Sequence, residues 1–258
     1  MLTTDTTAAG SRGPVHAAAW VVLLFVHSNL LISTAATSVA LSTMLLADLP
    51  VEWLPLFIVF AVTLFVYSFN RLTDLAEDEQ NVPQRASFID DYGFALLAVG
   101  TVLYFLATVA AIVAGIRGAP AMVVPLAVTL LYSVFGLKRV LLVKNLLVGL
   151  SWGLIPLGVG VYYEVLGTFD IIFMFVFVTA ALTIAAVVFD IKDIEGDSAE
   201  GIRTVPVLVG PRRTRHLAVG ATAVLAVGIA GLLAVGALHA QYAALLVFLA
   251  YMIGYSLF

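Results

Sequence analysis

The chain contains no cysteine, which excludes thiolate nucleophiles, disulfide frameworks and Cys-ligated zinc together. Charge is nearly as scarce: 11% of the 258 residues are Asp, Glu, Lys or Arg, while 62% are apolar. A soluble α/β enzyme of this length needs far more polar surface, so the expected surroundings are lipid. The formal net charge of −4 gives no reason to expect nucleic acid as a partner. Residues 1–16 lack the short apolar region and cleavage site of a signal peptide. They read as a disordered cytoplasmic tail, leaving residues 17–258 as a single membrane domain.

A helix crossing about 30 Å of hydrocarbon needs roughly 20 mostly apolar residues. Eight such runs stand between charged punctuation, near 17–46, 51–70, 92–115, 120–137, 142–163, 170–189, 215–237 and 240–258. The first is long enough to be tilted or broken. Basic residues fall in the loops after even-numbered runs or before the first: Arg12, Arg71, Arg85, Lys138, Arg139, Lys144, Lys192, Arg203, Arg212, Arg213 and Arg215. The loops on the other side carry only Arg117. The positive-inside rule then predicts a cytoplasmic N-terminus and cytoplasmic even-to-odd connections.

Acidic residues are sorted the same way. Asp74, Glu77, Asp78, Glu79, Asp90 and Asp91 follow the second run, and Asp190, Asp193, Glu195, Asp197 and Glu200 follow the sixth. Four runs separate the clusters, an even number that keeps both on one side. The expected fold is therefore an all-α polytopic membrane protein, a bundle of eight transmembrane helices. It would be built as two parallel four-helix repeats, about 17–137 and 142–258, around a central cavity.

In VYSFNRLTDLAEDEQNVPQR, the residues Asn70, Asp74 and Asp78 stand at i, i+4 and i+8, one face of a continued helix, which Tyr67 joins. In VVFDIKDIEGDSAEGIRTVPVLVG, Asp190, Asp193 and Asp197 stand at i, i+3 and i+7. Stacked carboxylates repel unless a cation lies among them. Every candidate ligand is an oxygen, which favours a hard ion, and Mg²⁺ fits best because it keeps positions for water and phosphate oxygens. From Asn70 to Asp78 is roughly 12 Å along a helix, so one ion cannot reach the whole stripe, whereas two or more bridging to a diphosphate would use both clusters. The plain alternative is that such acidic residues are merely solvated.

These two stretches, N-x-L-x-D-x-x-x-D-x-x-N-x-P and D-x-x-D-x-x-G-D-x-x-x-G-x-x-T-x-P-V-x-x-G, resemble the two signatures of the UbiA superfamily of intramembrane prenyltransferases. A third, LLYSVFGLKRVLLVKNLLVGLSWG, is similar to that family's Tyr…Lys-Arg segment. The first signature departs from many members in placing Arg71 after Asn70 and in continuing as QRASFIDDYG. The family fold usually has nine transmembrane helices. Eight runs ending at Phe258 suit a short member or one lacking the last helix.

The resemblance implies transfer of an isoprenoid chain from an allylic prenyl diphosphate to a lipophilic acceptor, with membrane lipid as surroundings. The acceptor could be an aromatic quinone precursor, a carotenoid, a chlorin or a glycerol-phosphate lipid. Asn70, Asp74, Asp78, Asp190, Asp193 and Asp197 would hold Mg²⁺ as Lewis acid and template. Lys138, with Arg71 and Arg139 as weaker candidates, could face the diphosphate, although Lys138 and Arg139 also suit positive-inside anchors. Tyr132 is by resemblance a hydroxyl donor to phosphate, or else an interfacial aromatic.

The allylic cation needs shielding, for which Tyr67, Phe69 and Trp152 are candidates. Asn29, Ser33 and Thr37 form a polar stripe in the first run. It serves helix packing, unless Asn29 or His27 lines the acceptor or prenyl cavity. Competing functions are a CDP-alcohol phosphotransferase, whose D-G-x-x-A-R element is absent, and a cation transporter, whose ionisable residues would sit nearer mid-membrane.

Overall fold

The computed structural model describes residue 22, residues 24–73, residue 75 and residues 83–128, 143–199 and 201–258. Every regular element among them is helical. In chain order these are α1 (Leu30–Leu46), α2 (Trp53–Thr73), α3 (Pro83–Val113), α4 (Ala119–Val128) and α5 (Val143–Tyr162). There follow α6 (Phe169–Phe189), a 3-10 turn (Asp190–Asp193), α7 (Ile194–Ala199), α8 (Val205–Val209), α9 (Pro211–Ala234) and α10 (Ala244–Leu257).

Among the described residues six helical segments are long and apolar enough to cross a membrane: α2, α3, α5, α6 continued to Ala199, α9, and α10 with its preceding turn. The remaining two apolar runs correspond to the shorter helices α1 and α4.

The first run is broken. Asn29 has φ 65°, a left-handed conformation that Asn tolerates better than most residues, and α1 starts immediately after it. Ser33 and Thr37 return their hydroxyls to the carbonyls four residues back, at 2.8 Å each. This is how hydroxyls are satisfied where water is scarce. α3 begins nine residues before the apolar run, on Pro83, whose fixed φ suits a first helical position. Asp90 and Asp91 are therefore exposed residues on its early turns rather than part of a loop.

Helices that are apolar on nearly all sides need another basis for packing than an amphipathic stripe, and here it is small residues. α5 and α6 meet at Gly149 and Gly153. A methyl group at Gly149 would overlap Thr183 Oγ1 and the Thr179 carbonyl, and one at Gly153 would overlap Thr179 Oγ1. The central core joins Ala36 of α1, Trp152 of α5, Met174 and Phe177 of α6, Ile229 of α9 and Leu249 of α10.

At one end of the bundle the connecting loops are stitched together. Tyr162 donates to Glu52 at 2.8 Å, Tyr163 to the Pro50 carbonyl at 2.6 Å, Tyr242 to Asp170 at 2.6 Å and Gln241 to the Leu46 carbonyl at 3.1 Å. Arg117 pairs with Glu164 at 3.1 Å. The opposite end holds the C-terminus of α2, the N-terminus of α5 and the acidic turn after α6.

Candidate active site

α6 is capped by Asp190, and a 3-10 turn carries the helical segment on into α7. The turn places Asp190, Asp193 and Asp197 on the inward side: Asp190 and Asp197 are buried and Asp193 half-buried, while Lys192 and Glu195 are exposed. The spacing predicted this stripe, and the turn after Asp190 does not disrupt it.

Asp190 is 3% exposed and has both oxygens engaged by the start of α5. Lys144 Nζ lies 3.1 Å from Oδ1, and Asn145 Nδ2 donates to Oδ2 at 2.8 Å. Burying a carboxylate this deeply is costly unless it is paired and hydrogen-bonded in this way. Asp197 is different. Its Oδ2 is buried and makes no close hydrogen bond; burial and the neighbouring Asp190 carboxylate oppose its charge, while the Lys144 ammonium and the Thr204 hydroxyl favour it. The Thr204 hydroxyl, at the entry to α8, is buried beside that carboxylate.

The donor set suits a hard cation. It consists of carboxylate, amide and hydroxyl oxygens. Among the described residues no three His, Asp or Glu side chains gather into a metal cage.

Across from this site, α2 carries Tyr67, Asn70 and Arg71, all half-buried. Trp152 Nε1 donates to the Tyr67 hydroxyl at 3.1 Å, joining α2 to α5. Asn145, Gly149 and Trp152 share one face of α5 at i, i+4 and i+7, all buried. The Asp190 contact and the Tyr67 contact thus lie on the same stripe.

Beyond the Tyr67–Trp152 pair lies a cavity of about 370 Å³, open along one side where Ser151 and Gly158 of α5 are exposed. Its walls are Val, Ile, Leu, Ala and Pro side chains of α2, α4 and α5, with Tyr67 and Trp152 at one end and Tyr162 at the other. The few polar side chains on its surface include Thr63 and Ser151.

Not every expected residue lies here. Tyr67 lines the cavity, but Asn29 and His27 are not among its walls. Asn29 is buried against α2, with its amide 3.4 Å from Ser68 Oγ, and His27 packs on Phe88 with ring centroids 5.8 Å apart. Phe69 packs against Phe65 at 6.2 Å rather than facing the cavity. Asp74, Asp78, Tyr132, Lys138 and Arg139 lie outside the described residues. The sequence marks Lys144 as a positive-side residue only, gives Asn145 no role, and places Thr204 in the second signature without assigning it one. The available signal was a Lys-Asn pair opening an otherwise apolar run.

Fold and site together define an integral membrane protein in which a charged pocket at one helix end adjoins an apolar chamber between helices. The chain belongs to the UbiA prenyltransferase family, whose sequence pattern matches residues 29–258. In structure it is similar to a UbiA homolog from Aeropyrum pernix K1, with a TM-score of 0.67 and 20% identity, covering 87% of this chain and 86% of that one. A second solved structure, described as giving insights into the biosynthesis of digeranylgeranylglyceryl phosphate synthase in membranes, aligns with a TM-score of 0.52 and 17% identity, over 86% of this chain and 81% of that one. At such identities these two likenesses establish the fold alone. In sequence, 54 residues are 37% identical to digeranylgeranylglyceryl phosphate synthase from Natronomonas pharaonis. That stretch is 21% of this chain and spans about a fifth, 20%, of the relative's length.

Proposed function

We propose that the protein transfers an isoprenoid chain from an allylic prenyl diphosphate to a lipophilic acceptor within the membrane, with Mg²⁺ as cofactor and the site facing the cytoplasm. The observation that carries this reading is the junction at Tyr67 and Trp152, with a carboxylate-lined end on one side and the apolar cavity on the other. A ligand with a polyanionic head and a hydrocarbon tail satisfies both. Family membership favours this reading over a CDP-alcohol phosphotransferase or a transporter.

In this proposal Asp190, Asp193 and Asp197 would hold Mg²⁺ together with Asn70, Asp74 and Asp78. When bound, Mg²⁺ neutralises the diphosphate and stabilises the charge developing on the leaving oxygen. Arg71, Lys138 and Arg139 would supply positive charge to the diphosphate, and Tyr132 a hydroxyl. The bond between the prenyl C1 and the diphosphate oxygen breaks, and its electron pair leaves with diphosphate. The acceptor's nucleophilic atom then bonds to C1 and loses its proton.

The rings of Tyr67 and Trp152 cover the allylic cation and keep water from it. Lys144 and Asn145 fix the Asp190 carboxylate in place. We also read the halves 17–137 and 142–258 as parallel repeats, because an even number of apolar runs separates the two acidic clusters.

The test is incubation of the purified protein and Mg²⁺ with allylic diphosphates of several lengths and candidate acceptors, followed by mass analysis of lipid products. Acceptors should include a prenylated glycerol phosphate, since that is what the curated relative's name suggests, and an aromatic quinone precursor. A prenylated product and stoichiometric diphosphate are expected. Absence of diphosphate release with every donor would sink the proposal.

A further inference from the structure

The far end of the cavity is built as firmly as the end near the carboxylates. Tyr162, the last residue of α5, lines it, and its hydroxyl is held by Glu52 at 2.8 Å. Gly118, before α4, lies against Val161, where a methyl group would overlap the Val161 side chain. Arg117 and Glu164 pair across the same loops at 3.1 Å. These contacts fasten three connections over that end, so Tyr162 is tethered rather than free to swing aside.

We propose that Tyr162, positioned by Glu52, caps the far end of the prenyl-binding cavity and limits the length of chain that can lie along α5. This rests on the reading of the protein as a prenyltransferase. Ser151, Ile155, Gly158 and Tyr162 all line the cavity at i, i+4, i+7 and i+11, a single stripe of α5. From Ser151 to Tyr162 that stripe rises roughly 16 Å. A prenyl unit adds four chain carbons, roughly 5 Å when extended with carbon–carbon bonds of about 1.5 Å. The stripe therefore accommodates about three units before the chain reaches the Tyr162 ring.

Gly158 supplies a control on the same stripe. A side chain there would meet nothing within 4 Å and would enter the chamber roughly 10 Å from Ser151, room for about two units. Gly158→Phe is expected to shorten the accepted chain by about one unit, and Tyr162→Ala to lengthen it by about one.

The experiment is a comparison of kcat/KM for C10, C15, C20 and C25 allylic diphosphates with one fixed acceptor, for the unaltered protein and both variants. Inhibition by the matching non-ionisable thiolodiphosphates serves as an independent binding readout. Opposite displacements of the length preference, at least about tenfold at the affected length, are the expected result. An unchanged preference in Gly158→Phe, in protein that still turns over the shortest donor, overturns the proposal even if Tyr162→Ala does not fold. If the unaltered protein turns over no donor of any length, the prenyltransferase reading fails first, and this inference with it.

Discussion

Asp190 shows what each residue at the site is asked to do. Its charge is buried, and Lys144 and Asn145 answer one oxygen each. Replacing Lys144 with Met removes the cation and leaves the anion. Breaking a fully buried pair this way costs on the order of 3–5 kcal/mol, and less is expected here because the Lys144 side chain is 27% exposed. Thermal unfolding in EDTA should show the loss, and millimolar Mg²⁺ should restore much of it, since a divalent cation can compensate the same carboxylate. A loss unaffected by Mg²⁺ would mean that Asp190 is structural only. Asp193→Ala and Asp74→Ala should each lower prenyl transfer on the order of 10²-fold or more, as removal of transition-state charge stabilisation does, with the detergent-solubilised protein still folded. Diphosphate release equal to the unaltered protein in both variants would remove these residues from the chemistry.

At the scale of elements, α5 and α6 act as one unit because two glycines let them approach. Gly149→Val forces a side chain into Thr183 and the Thr179 carbonyl, and backbone cannot move aside cheaply, so a loss of about 1–3 kcal/mol or more is expected. The same displacement would separate Asn145 from Asp190. The variant should therefore need more Mg²⁺ for half-maximal turnover, as well as melting earlier. Gly220→Ala on α9 is the contrasting case. An added methyl there meets nothing within 4 Å, and better helix propensity should leave the melting temperature equal or higher. Equal behaviour of the two variants would show that the approach of α5 to α6 is not what the glycines provide.

For the whole molecule, the proposed sidedness rests on the positive-inside distribution of Arg and Lys, and the absence of cysteine makes it measurable. A single Cys introduced at Arg213 should react with an impermeant maleimide in inside-out vesicles and not in intact cells; one introduced at Arg117 should show the reverse. Matching accessibility at both positions would refute the orientation. Chelation by EDTA should stop turnover and Mg²⁺ should restore it, consistent with an oxygen-only donor set.

The apolar runs and the sorting of charge were legible without coordinates, because crossing lipid constrains length and polarity locally, residue by residue. The inward stripe of Asp190, Asp193 and Asp197 was legible for a similar reason: it depends only on helical period. The break at Asn29 was visible as a run too long for one span, but not its position, which the Ser68 contact shares in deciding. Lys144 and Asn145 could not be paired with Asp190 in advance, because the 45 residues between Asn145 and Asp190 are brought together only by the α5–α6 packing. The cavity, and the choice of Tyr67 and Trp152 over Phe69 at its end, likewise arose from how helices lean on one another. Periodicity tells which residues share a face of a helix, and only tertiary packing decides what that face meets.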